Sequence, residues 1–232
     1  MATAIPPSRI FPPVEQADDD GMLALGGELK PEWLLDAYVH AIFPWPFGED
    51  SNPMAWWSPD PRGILELDGL CISRRLRRTL RQARFELTCD RAFRAVMAAC
   101  AVGPGRLGGT WITPRMLEAY TELHRLGFAH SVEVWLEGQL VGGVYGVSIR
   151  GLFAAESKFY RQRDASKVAL AYLVEHLKRR GYSLLDLQMV TPHTERLGAI
   201  EISRDEYLER LARAMEQEVT FGDRLSVEAR DF

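Results

Sequence analysis

Near the ends of two apolar segments stand three polar side chains whose types and spacing suit the handling of an amine. In Ser183-Leu184-Leu185-Asp186-Leu187-Gln188-Met189 an extended chain turns Asp186 and Gln188 to one side and Leu185, Leu187 and Met189 to the other, because side chains two apart share a face. Burying such a polar pair is costly unless partners or a substrate satisfy it. The competing reading is an edge strand with a solvated face. Glu156 ends the apolar run Leu152-Phe153-Ala154-Ala155 and precedes Ser157, Lys158, Phe159 and Tyr160. It is either a partner of Lys158 or a carboxylate that receives a substrate amine.

A second group is electrostatic. Arg74, Arg75, Arg77, Arg78, Arg81 and Arg84 form the densest positive run of the chain. On a helix Arg74, Arg78 and Arg81 share one face and Arg77, Arg81 and Arg84 an adjacent one, with Leu76 and Leu80 turned inward. Such a run reads either as a solvated basic face or as a surface for a polyanion. The Trp-rich segments, whose rings can stack an unpaired base, make nucleic acid a competing partner.

These residues need elements to position them. Ser73 is placed as the N-cap of the arginine-bearing helix. Other helices are expected after Pro31, through Ala92–Met97, over Pro114–Leu126, over Ser166–Arg180 and from Arg204 to Met215. Strands are expected at Ile64–Leu67, in a hairpin of Ser131–Trp135 and Gln139–Val147 joined at Glu137-Gly138, at Leu152–Glu156 and at Ser183–Met189. The stretch from Trp45 to Arg62, dense in Pro and Trp, is expected as an ordered irregular loop closing a small N-terminal module, and Gly103–Gly109 as a loop. A meander followed by β-α-β is an α+β pattern with a central mixed sheet, the build of acyltransferases of the GNAT type. In acyl-CoA enzymes of that type the loop before the helix is glycine-rich, letting backbone N–H groups reach a pyrophosphate. Here Tyr160–Lys167 contains no glycine, which counts against an acyl-CoA donor.

The chain of 232 residues, 47% hydrophobic and 26% charged, has material for a sizeable core. Its net charge of −4 argues against a polyanion partner only if the charge is evenly spread. It is not: residues 1–61 carry −8, 62–100 carry +5, 101–200 carry +3 and 201–232 carry −4. Cys71, Cys89 and Cys100 form neither a disulfide framework nor a zinc motif and read as free thiols. The N-terminal segment lacks the apolar core of a signal peptide and no window reaches the length of a membrane span, so a cytoplasmic protein with no membrane contact is expected.

Several fragments, in order, resemble one family. Gly26-Gly27-Glu28-Leu29, Ile42-Phe43-Pro44-Trp45, Trp56-Trp57-Ser58-Pro59-Asp60-Pro61-Arg62, Gly109-Thr110-Trp111-Ile112-Thr113, His130–Trp135, Leu140–Gly143, Glu156-Ser157, Ala165-Ser166-Lys167 and Asp186-Leu187-Gln188 are similar to segments of leucyl/phenylalanyl-tRNA–protein transferases. The resemblance runs from about Leu23 to Tyr207. It implies a small N-terminal domain at 1–61 and a GNAT-like catalytic domain at 62–232, related to the Fem transferases. The implied activity moves Leu or Phe, less often Met, from aminoacyl-tRNA to the N-terminal amine of proteins beginning with Lys or Arg, creating an N-degron. Because the aminoacyl ester is already activated, no ATP, metal or other cofactor is required. By motif position Tyr38, Trp45 and Trp111 would hold the terminal adenosine of the tRNA, Val144, Phe153, Glu156 and Lys158 would line the aminoacyl pocket, and Asp186 and Gln188 would be the catalytic pair. The tRNA acceptor stem would lie on the cationic centre, against Arg74, Arg75, Arg77, Arg78, Arg81 and Arg84, and a monomer is expected.

The chain departs from the family pattern at three places. Lys158 stands where the family commonly has Met, Ala155 where it often has Gly, and Thr191 where some members have Asn. A buried unpaired ammonium is expensive, so Lys158 is expected either to pair with an acid such as Glu156 or to point away from the pocket. An acyl-CoA-dependent N-acyltransferase and a non-catalytic RNA-binding adaptor are the alternative functions.

Overall fold

The structure, a computed structural model, describes residues 5–46, 53–102 and 110–232. In chain order its elements are β1 (Met22–Leu25), α1 (Pro31–Val39), β2 (Phe43–Pro46), β3 (Met54–Trp57), β4 (Arg62–Ile64), α2 (Arg74–Arg81), β5 (Glu86–Cys89), α3 (Phe93–Ala101), α4 (Pro114–Arg125), β6 (Ala129–Leu136), β7 (Gln139–Ile149), β8 (Leu152–Tyr160), α5 (Ala165–Arg180), β9 (Leu184–Gln188), α6 (Pro192–Glu195), β10 (Ile200–Ile202) and α7 (Arg204–Met215). The helices start where local chemistry allows. The side chains of Ser73, Thr113 and Ser203 accept from the third residue of α2, α4 and α7 respectively, and Pro31 and Pro114 open α1 and α4.

Two sheets organise the chain. A seven-stranded sheet runs in the order β10-β4-β9-β8-β7-β6-β5, with every pairing antiparallel except β8–β9. The meander β6-β7-β8 followed by the crossover β8-α5-β9 is the α+β, GNAT-like arrangement expected. Glu137 and Gly138 join β6 to β7 with positive φ at both residues, 51° and 75°, the primed turn that matches strand twist.

A three-stranded sheet, β1-β3-β2, precedes it. It takes up part of the stretch expected as an irregular loop between Trp45 and Arg62: Trp45 and Pro46 of β2 pair with Ala55 and Met54 of β3, and Arg62 opens β4 of the larger sheet, while residues 47–52 lie outside the described residues. Pro44 and Pro46 misdirect that expectation because proline cannot donate to a ladder, yet β2 is an edge strand, where proline is tolerated. The strand expected at Ile64–Leu67 is shifted to Arg62–Ile64, and β1, β5, α6 and β10, none longer than four residues, do not follow from the sequence pattern. The Gly103–Gly109 loop lies outside the described residues.

Two apolar clusters sandwich the large sheet. One joins α1, α3 and α4 to Tyr145, Val147, Leu152 and Ala154. The other packs α5 and Leu76 and Leu80 of α2 against Val132, Val134, Val144, Phe153 and Leu185. The three-stranded sheet and α1 belong to the first cluster, so Tyr38 and Trp56 are buried beside residues of the large sheet. None of the cysteines is in a disulfide; Cys71 is exposed and Cys89 and Cys100 are buried. Among the described residues no helix is long and apolar enough to cross a membrane.

Candidate active site

The site begins where two parallel strands part. β8 and β9 are paired only over Leu152–Ala154 and Leu184–Asp186, after which no ladder joins them. A cavity of about 450 Å³ opens there, with Glu156, Ser157 and Lys158 on one side and Leu187, Gln188 and Met189 on the other. Its apolar floor is Leu65, Val144, Ala155, Leu170 and Leu197, and Trp45 and Trp111 stand at its rim.

β9 is an interior strand between β4 and β8; the solvated-edge reading of Asp186 and Gln188 does not hold. Asp186 is 1% exposed. Its Oδ1 accepts from Arg62 Nε at 3.0 Å and from the Gln188 backbone N–H at 2.9 Å. Its Oδ2 accepts from Arg62 Nη2 at 2.6 Å and from the Tyr207 hydroxyl at 3.0 Å. With all these positions engaged Asp186 does not line the cavity, so it acts on Gln188 through the backbone. Gln188 has φ of 61°, a left-handed conformation that costs a non-glycine residue about 1–2 kcal/mol, and the Asp186 carboxylate holds its N–H there. Gly63 completes the fit: a Cβ on it would meet the Met189 backbone at 2.6 Å, so only glycine lets β4 pass beneath the end of β9.

The Gln188 amide spans the gap between the strands. With its nitrogen turned inward it donates to the carbonyls of Ala155 on β8 at 3.1 Å and Leu187 on β9 at 2.8 Å. The opposite orientation offers a single bond, 3.3 Å to Glu156 Oε1. The inward orientation gives the amide nitrogen two carbonyl acceptors, one on each of the parting strands, and it turns the amide oxygen toward Glu156.

Glu156 sits at an extra residue in β8, since Tyr145 faces Ser157 while Gly146 faces Ala155. The bulge shifts the alternation: Phe159 joins the same cluster as Leu152 and Ala154. Glu156 continues the face of Leu152 and Ala154 and reaches Tyr38, whose hydroxyl donates to Oε1 at 2.7 Å, and Tyr120, whose hydroxyl donates to Oε2 at 3.4 Å; the two tyrosines meet at 2.5 Å. Burial pushes its carboxyl up to about 8, the tyrosine bonds and Arg62 working against that shift and Asp186 adding to it. At neutral pH Glu156 is therefore largely a protonated acid, the form that can donate to the Gln188 oxygen.

Lys158 meets neither of the two expectations set for it. It lines the cavity instead of pointing away, and Glu156 bonds to tyrosines and not to it. Burial lowers its pKa. Phe153 lies beneath the wall, 1% exposed and packed at 5.6 Å on Phe221. Trp45 and Trp111 are stacked on each other with centroids 4.8 Å apart and planes at 17°. Thr191 caps α6 in a reciprocal pair with Thr194 and lines the cavity. Sequence reading missed Arg62, Tyr120 and Tyr207. The one local hint was an arginine opening the apolar stretch Gly63-Ile64-Leu65.

The six arginines lie apart from the cavity. All are exposed on or just beyond α2. Arg75 pairs with Asp164 at 3.3 Å, Arg81 donates to the Phe232 carbonyl at 2.6 Å, and Arg84 donates to the Arg163 carbonyl at 3.4 Å. Arg74, Arg77, Arg78 and Arg81 line a shallow depression together with Gln82. Among the described residues no cluster of three or more His, Cys, Asp or Glu is arranged to hold a metal.

Comparison with known proteins bears on the same elements. The chain is 55% identical over 204 residues to the leucyl/phenylalanyl-tRNA–protein transferase of Aromatoleum aromaticum, covering 87% of this chain and 85% of the relative. It is 50% identical over 210 residues to that of Maridesulfovibrio salexigens, covering 89% and 86%. Among solved structures, L-PGS from Bacillus licheniformis aligns at a TM-score of 0.44 and 11% identity over 82% of this chain and 71% of that one, a likeness too weak to bear on activity. The family model described as "Leucyl/phenylalanyl-tRNA protein transferase" matches residues 64–212, which hold β8, β9 and most of the cavity lining, and the model of its N-terminal domain matches residues 27–60. By these matches over nearly the whole of its length, the chain belongs to the leucyl/phenylalanyl-tRNA–protein transferase family.

Proposed function

We propose that the cavity between β8 and β9 receives the aminoacyl end of Leu- or Phe-tRNA and that the chain transfers that residue to the N-terminal α-amine of a protein beginning with Lys or Arg. The observation that carries this reading is the Gln188 amide lining a largely apolar cavity with its oxygen turned toward Glu156, in a chain of this family. Leu65, Val144, Leu170 and Leu197 offer the donor side chain an apolar bed, and the Trp45–Trp111 pair at the rim offers an aromatic platform for the terminal adenine. Tyr38 acts behind that platform by fixing Glu156. The acceptor stem follows the arginines of α2.

The chemistry asks little of the protein. A nucleophilic α-amine has a pKa of about 7.7–8.0, so a useful fraction is neutral near pH 7. The amine attacks the ester carbonyl, the N–C bond forms, the C–O bond to the ribose breaks, and the proton lost by nitrogen passes to the leaving ribose oxygen. An amide oxygen is a very poor base, so Gln188 accepts a hydrogen bond from the amine and aims it. Asp186 is a positioning residue that holds Gln188 in its strained conformation, and neutral Glu156 spares the Gln188 oxygen a neighbouring negative charge. We place the reaction in the cytoplasm, with the chain acting as a monomer of two parts that meet near residue 61. A labelled-Phe transfer assay on Arg-, Lys- and Glu-initiated peptides tests the reading: transfer to the first two alone is expected, and none to any would overturn it. Calorimetric binding of an acyl-CoA would favour the acyl-CoA alternative.

A further inference from the structure

We propose that Lys158 makes the donor cavity selective for an aromatic side chain, so that Phe is favoured over Leu through contact of the ammonium with the ring. The inference rests on the reading of the cavity as the aminoacyl site. Lys158 stands directly opposite Val144 in the β7–β8 register, and directly opposed residues share a face. Both line the cavity, over a floor otherwise built of Leu65, Ala155, Leu170 and Leu197.

No carboxylate answers this ammonium among the described residues. Glu156 faces Tyr38 and Tyr120, while the bulge in β8 puts Lys158 on the other face beside Val144, and Asp186 is enclosed by Arg62 and Tyr207. The basic groups at this wall add like charge: His193, on the cavity lining, is held down by burial and by Lys158, Lys167 and Arg196, and against the burial of Lys158 the Cys100 thiol favours the charged form. A donor side chain entering the cavity strips water from the ammonium. Leu returns nothing for that loss, whereas the face of a Phe ring presents negative quadrupole density to a desolvated cation. An apolar residue at this position would treat the two donors by volume alone.

The test uses the full chain, an Arg-initiated peptide, and tRNA charged chemically with Phe, pentafluorophenylalanine or Leu, reading the ratio of kcat/KM between donors. A ratio cancels any general loss of folding or turnover. Lys158→Met is expected to lower the Phe/Leu ratio by about 3- to 30-fold, the range that a cation–ring contact supports, and Lys158→Arg to keep it. The unaltered protein is expected to discriminate against pentafluorophenylalanine, whose ring quadrupole is reversed, and Lys158→Met to lose that discrimination. An unchanged Phe/Leu ratio in Lys158→Met, or equal discrimination against the fluorinated donor in both proteins, overturns the inference while leaving the transferase reading in place. Absence of transfer from any donor in the unaltered protein overturns both.

Discussion

Arg62 and the arginines of α2 carry the same guanidinium to opposite ends of the range of environments in this molecule. Arg62 is 1% exposed, forks onto both Asp186 oxygens, donates to the Ala41 carbonyl at 3.0 Å and lies between the rings of Phe43 and Tyr207, 4.8 and 4.6 Å from their centroids. Arg74, Arg77 and Arg78 are exposed, and among the described residues their side chains have no hydrogen bond or ion pair. The buried arginine organises one geometry, reaching the cavity only through Asp186 and the Gln188 backbone. The exposed ones organise none and keep their charge available to a partner in solvent. What separates a structural arginine from a binding one here is the fate of its desolvation cost: Arg62 has it offset by a buried carboxylate, and the α2 arginines never incur it.

The largest effect is expected where this contrast is broken on its buried side. Asp186→Ala strands the Arg62 charge and should cost about 3–5 kcal/mol of stability in urea denaturation, the usual consequence of removing one partner of a buried pair. Transfer should fall with it by about 10²–10⁴-fold as the hold on Gln188 is lost. A stability loss below about 1 kcal/mol would show that Arg62 is no more committed than the surface arginines.

A half-buried group sharpens the contrast through pH. The Glu156 carboxyl is raised in the folded protein to about 8 from an ordinary value near 4.5. A raised carboxyl favours the protonated folded form, so its contribution is fully present below about pH 4.5 and lost as pH rises through 8. Relative to Glu156→Gln, the unaltered protein should lose on the order of 3 kcal/mol between pH 5 and pH 8, at about 1.4 kcal/mol per unit. Parallel stability curves for the two proteins would contradict a neutral Glu156.

Gln188→Ala should lower kcat about 10²-fold by misaiming the amine, with a stability change under about 1.5 kcal/mol because only neutral hydrogen bonds are removed. A change in KM without a change in kcat would contradict the aiming role. The smallest effect on stability belongs to the exposed side. Arg74, Arg77 and Arg78 changed together to Ala should move stability by only about 0.5 kcal/mol. The same change should reduce the dependence of log K for tRNA on log salt by about 0.9 for each duplex phosphate that these arginines neutralise. An unchanged salt slope would return α2 to a solvated face.

How much of this was legible depended on the range of the interaction. The N-cap at Ser73, the inward Leu76 and Leu80, and the turn at Glu137-Gly138 are settled within a few neighbours, and the structure has them as expected. The Pro- and Trp-rich segment failed because proline statistics describe a strand without saying whether it will stand at an edge. The Asp186–Gln188 spacing marked the candidate site, but the route between them did not follow from it: Asp186 holds Gln188 by its backbone N–H.

The amino-acid sequence by itself determined the order of elements, the cationic centre within an acidic chain and the family, because composition, periodicity and ordered motifs are local properties. Only the tertiary structure decided that Asp186 is enclosed while Gln188 reaches the cavity, that burial raises the Glu156 carboxyl, and that Lys158 faces the apolar bed without a carboxylate partner. Those outcomes depend on a pairing between residues 62 and 186, on one extra residue in β8 and on the point where two strands part. Burial and charge pairing are properties of the assembled neighbourhood, and a residue acquires them only when distant segments close around it.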